Sequence, residues 1–205
     1  GMKNEGSIDY LYILSILLLL VSLFLCLIKA GIGILGSCES LVAGALYSLL
    51  SSLIILKIVF AEKGGTGLKK SFRLASMVIA VIIILGIFDI SFFSIVRIIK
   101  AAKGLLIEPS LLAALTAIVA ILVNAYFYSR ISKMEDENPN SNEKEKKRLM
   151  DLKEVLKINM IVCLIVIIGC IGARTITLYF DAIAALCIVI FLLVPKALHI
   201  IKVNI

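Results

Sequence analysis

Apolar residues along this chain come in six long blocks separated by short polar stretches. Each block approaches the ~20 residues that a helix needs to cross the ~30 Å hydrocarbon layer of a bilayer. The first runs almost unbroken from Leu11 to Ile28, longer than the apolar core of a signal peptide and without a clear small-residue cleavage site, so it reads as a retained span. The pattern predicts helices at about 10–30, 38–60, 73–99, 109–131, 150–173 and 179–201. Strands are excluded on physical grounds: an open sheet would leave backbone groups unpaired in lipid, and the blocks lack the alternation of a transmembrane barrel. The expected fold class is therefore all-α, a polytopic six-helix transmembrane bundle over residues 10–205 behind a short N-terminal tail at 1–9.

Composition strengthens this picture. Hydrophobic residues make up 61% of the chain, against roughly 45–50% in soluble domains. Charge then supplies an orientation. With a cytoplasmic N-terminus, sixteen of the 21 lysines and arginines fall inside, and only Lys29, Arg97, Lys100, Lys103 and Arg174 fall outside. Both termini are thus expected in the cytoplasm, and the cell membrane is the expected location. The net charge of +7 calls for no nucleic acid, because no compact basic domain exists to present it. The five cysteines form no CxxC pair. The glycine-rich stretch Glu62–Lys70 lacks the order of a phosphate loop and reads as a turn, and the mixed-charge run from Ser132 to Arg148 reads as a solvated linker.

Candidate chemistry lies in polar residues that a bilayer should exclude. Asp89 stands inside the third block and is expected to face another helix or a water-filled cavity, either as an ion or proton pathway residue or as a structural cap. Asn124 and Asn159 suit interhelical hydrogen bonding. Glu39 and Asp181, at span ends, suit cap or interface roles. Tyr47, Ser48, Ser51 and Ser52 form a polar face on the second block, and Met160, Cys163 and Cys170 a sulfur stripe on the fifth, where packing is the simpler explanation.

Two segments carry a family resemblance. Gly36-Ser37-Cys38-Glu39-Ser40-Leu41-Val42-Ala43-Gly44-Ala45-Leu46-Tyr47-Ser48-Leu49-Leu50-Ser51 resembles the second helix of the cation diffusion facilitator transporters. Leu178-Tyr179-Phe180-Asp181-Ala182-Ile183-Ala184-Ala185-Leu186 is similar to the opening of their sixth. The resemblance implies a homodimeric exporter of divalent metal cations driven by proton counter-transport, with a mid-membrane site built from pairs four apart on helices two and five. Those positions correspond here to Tyr47 and Ser51, and to Val155 and Asn159. None is a carboxylate or an imidazole, and Val155 is not a ligand at all, so the central site is expected to be altered. Asp151 and Glu154 stand near the start of helix five but off those positions, and the single histidine, His199, reads as interfacial. The chain stops at Ile205, so the soluble C-terminal domain of typical members is expected to be missing.

The functional expectation is a cation-efflux-type transporter of a divalent cation, proton-coupled, with Tyr47, Ser51 and Asn159 as metal candidates and Asp89 as an additional one. The alternative is a transport-inactive relative acting as a membrane scaffold or partner subunit. No cofactor is implied beyond the passenger ion. No histidine pair, and no serine with a plausible base, suggests an enzyme.

Overall fold

The computed structural model describes residues 2–60, 66–105 and 107–204; part of the glycine-rich turn lies outside them. The described residues form α1 (Met2–Leu35), α2 (Glu39–Phe60), α3 (Thr66–Ala102), α4 (Leu111–Glu137), α5 (Glu143–Thr175) and α6 (Tyr179–Ile188), the last continuing through a π-helical turn (Val189–Leu193) into α7 (Val194–Asn204). Six helical spans among them are long and apolar enough to cross a membrane, and no strand is present among them.

Local chemistry sets the breaks. α1 ends where Ser37 adopts a left-handed backbone (φ 56°), with Cys38 N–H donating to the Gly33 carbonyl at 2.9 Å, a C-terminal motif that glycine usually serves. α4 starts behind Pro109, with the Ser110 hydroxyl accepting from Leu112 N–H, and α5 starts at Asn142, whose side chain accepts from Glu145 N–H. Pro195 cannot donate to the helix and crowds the carbonyl four residues earlier; the π turn just before it absorbs that disturbance and re-aims α7.

Several helices outrun the lipid. α1, with 34 residues, spans roughly 50 Å at 1.5 Å per residue, so its ends and the charged first turns of α5 extend beyond a ~30 Å hydrocarbon layer.

α1 and α2 form one antiparallel hairpin, α4 and α5 another, and α2, α5 and α6 meet at the centre. α3 lies outermost: its apolar window is 17% buried, against 61% for α2. Glycines allow close approach at two crossings. A Cβ on Gly169 would meet the Ala184 methyl at 2.6 Å between α5 and α6, and one on Gly86 would meet Leu46 between α3 and α2. Outward faces carry Phe24, Leu27, Leu85, Phe88, Leu122, Ile168 and Phe191, all exposed, as a bundle in hydrocarbon requires.

Candidate functional site

Tyr47 and Ser51 are four residues apart on α2, as are Val155 and Asn159 on α5, so each pair projects from one helix face. All four are buried. Across the seam, Asn159 Nδ2 donates to Ser51 Oγ at 2.9 Å, and the Ser51 hydroxyl donates in turn to the Tyr47 carbonyl at 2.9 Å. Asn159 Oδ1 is also buried but has no hydrogen-bond partner. Such an acceptor is uncommon inside proteins.

Below this level a cavity of about 510 Å³ opens at one end of the bundle, between α2, α5 and α7. Tyr47 and Val155 reach it from the seam. Asp151, Glu154 and His199 line it too, together with Lys57, Lys144, Lys147, Arg148 and Lys196. His199, read from sequence as interfacial, is exposed in the cavity wall because the π turn and Pro195 aim α7 there. Among the described residues, no three of His, Cys, Asp and Glu converge closely enough to hold a metal ion. The donors at the seam itself are a phenol, a hydroxyl and an amide oxygen.

A residue that the charge pattern misassigned sits one turn from the seam. Lys29 was counted among the outer charges, yet it is 1% exposed, because α1 continues six residues past it to Leu35 and carries it into the core. Its Nζ donates to Ser48 Oγ at 2.8 Å. Cys26 and Cys163 are close enough to feel its charge. Among the described residues no carboxylate lies within ion-pair distance of it. The sequence signal was the apolar run Ala30-Gly31-Ile32-Gly33-Ile34-Leu35, which continues the span beyond the lysine.

The opposite end is closed by polar contacts. Asp181, 3% exposed, accepts hydrogen bonds from Glu39 N–H (2.8 Å), Ser40 N–H (3.2 Å), the Ser40 hydroxyl (2.6 Å) and the Cys38 thiol (3.3 Å). Its carboxylate thus caps the N-terminus of α2, where backbone amides and the helix dipole favour negative charge. Arg97 pairs with Glu39 at 3.3 Å and donates to the Ser37 carbonyl at 2.6 Å. Ser110 N–H donates to the Gly36 carbonyl, and Arg174 to the Pro109 carbonyl, both at 2.9 Å.

Asp89 is not brought to the seam. It is exposed on the outward face of α3 with Leu85, Phe88 and Phe92, whereas the expectation had it facing a helix or a cavity. α3 is apolar nearly all round, so its sequence carried little information about which side faces the bundle. Asn124 satisfies itself within α4 through a 2.8 Å bond to the Ala120 carbonyl. Cys163 and Cys170 are buried free thiols.

Membrane-length helices packed around a buried polar seam define a polytopic helical membrane protein. Residues 15–205 match the cation efflux transmembrane domain, so the chain belongs to the cation efflux family, whose members are metal-cation transporters. No curated protein matches it. The two motif segments that carried the resemblance are the ones Asp181 joins.

Proposed function

We propose that the protein moves a divalent metal cation out of the cell in exchange for protons, through an altered site on the α2–α5 seam. The observation that carries this reading is the buried, unpartnered Oδ1 of Asn159, an acceptor at mid-seam above the open cavity. Tyr47 and Ser51 complete a set of neutral oxygen donors, and Val155 contributes none. Oxygen-only donors suit manganese or magnesium better than zinc, which prefers imidazole and thiolate. The cavity end carries the lysine-rich segments, and the bias of positive charge toward the cytoplasmic side supports reading that end, with both termini, as the inner one. In this reading the bundle is open to the inside, closed to the outside by the Asp181 and Arg97 contacts, and paired with a second copy in the cell membrane.

Two features favour the alternative of a transport-inactive scaffold or partner subunit: Val155 at a ligand position, and Lys29 beside the seam. A lysine charge beside the seam repels an incoming divalent cation, and inside a protein that repulsion is screened far less than in water. Uptake of manganese, magnesium, zinc and cadmium into proteoliposomes, followed with a proton-sensitive dye, separates the readings. Proton-linked uptake reduced in Asn159→Ala supports transport; no uptake of any ion by well-folded protein supports the scaffold.

A further inference from the structure

Lys29 is among the largest fully buried side chains of the molecule, yet neither the family positions nor the cavity uses it. Its amino group is held by a hydroxyl rather than by an acid. That hydroxyl belongs to Ser48, three residues from Ser51 and therefore its neighbour on the surface of α2. Cys163, close enough to feel the Lys29 charge, is four residues from Asn159 on the matching face of α5. The amino group thus forms the next polar station along the seam, about one helical turn from the Ser51–Asn159 bond toward the capped end. The Cys26 thiol, one turn before Lys29 on α1, donates to the Ala45 carbonyl at 3.2 Å and helps tie this part of α1 to α2.

We propose that Lys29 is a tethered cation that competes with the passenger: its ammonium, one turn from the seam on the capped side, keeps the seam weak for divalent ions. This rests on the transport reading of the seam. The passenger's ligands there are neutral, and the nearest acids, Asp151 and Glu154, line the cavity and not the ligand positions, so an ion at Asn159 Oδ1 settles against the lysine's repulsion. Lys29 is a specificity-determining residue here, not a ligand. A site that holds its ion loosely releases it readily, and removing the charge trades release for affinity.

The test uses the full-length chain and manganese(II), a hard ion suited to oxygen donors. Binding is measured by calorimetry in detergent, and uptake by KM and kcat in proteoliposomes, for the parent, Lys29→Met, Lys29→Arg and Lys29→Met combined with Asn159→Ala. Lys29→Met is expected to bind manganese at least tenfold more tightly, with a matching fall in KM and a lower kcat. Lys29→Arg keeps the charge and should behave as the parent. The double variant should lose the gain. Unchanged binding in a folded Lys29→Met protein overturns the proposal, as does equal tightening in Lys29→Arg. Lys29→Gln serves as a second neutral variant, and collapse of both neutral variants beside an intact Lys29→Arg would make the residue structural and also overturn it. If binding tightens as described but no variant moves manganese, the transport reading fails while the competition at the seam stands.

Discussion

Asn159 donates its amide to the Ser51 hydroxyl across 2.9 Å, locking α5 to α2 at mid-span. The bond is directional. Ser51 spends its single proton on the Tyr47 carbonyl and accepts from Asn159, so the amide nitrogen must point at Ser51 and the amide oxygen must point elsewhere. The unpartnered oxygen therefore follows from the hydroxyl's own bonding.

The first prediction is that purified protein will not bind zinc tightly at Tyr47, Ser51, Val155 and Asn159. Zinc sites draw on thiolate, imidazole or carboxylate, none of which stands at these positions. Calorimetry should give no submicromolar site. A submicromolar affinity abolished by Ser51→Ala together with Asn159→Ala would sink the prediction.

Asp181→Ala should destabilise the bundle by about 3 kcal/mol, since it strands buried donors at the head of α2 and removes a charge that complements the helix dipole. Asp181→Asn keeps one carbonyl oxygen and should melt between the two. Thermal unfolding in detergent decides this; equal melting of parent and Ala variant would mean that the cap contributes nothing.

Orientation is open to chemical labelling. In a cysteine-free background, Asn140→Cys should resist an impermeant thiol reagent applied to intact cells, and Lys103→Cys should react. Both positions are exposed, so access to the residue itself does not confound the result. With Lys29 buried, the count behind this expectation is sixteen inside against four outside, one fewer than the five first assigned.

Asp89→Asn is expected to leave proton-coupled flux within about twofold of the parent, because the side chain lies on the outward face of α3, away from the α2–α5 seam. Flux and dye measurements on the variant check it. Loss of pH-coupled movement with normal melting would return Asp89 to the ion route.

Span number and helix type were legible because hydrocarbon leaves the backbone almost no alternative and because the polar breaks coincide with caps such as Ser110 and Asn142. The pairing of Tyr47, Ser51, Val155 and Asn159 was legible only through resemblance, since periodicity alone does not say which helix meets which. Lys29 was misplaced because a lysine at the edge of an apolar block ordinarily reaches for the interface, and here the helix carries on past it. The placement of Asp89 was not legible for a different reason: the penalty for an acid in lipid predicts that it needs cover, not which side of an apolar helix will supply it.

The Asp181 cap has a consequence in time. Its carboxylate and the Glu39 amide it receives are 142 residues apart. At ribosomal speeds of roughly 5–20 residues per second, α2 emerges about 7–30 s before the residue that caps it. Through that interval the α1–α2 hairpin waits in the membrane with the head of α2 uncapped, and the contacts at that end close only when the last span arrives. Synthesis of the final helix is therefore also the moment at which the capped end of the bundle can shut.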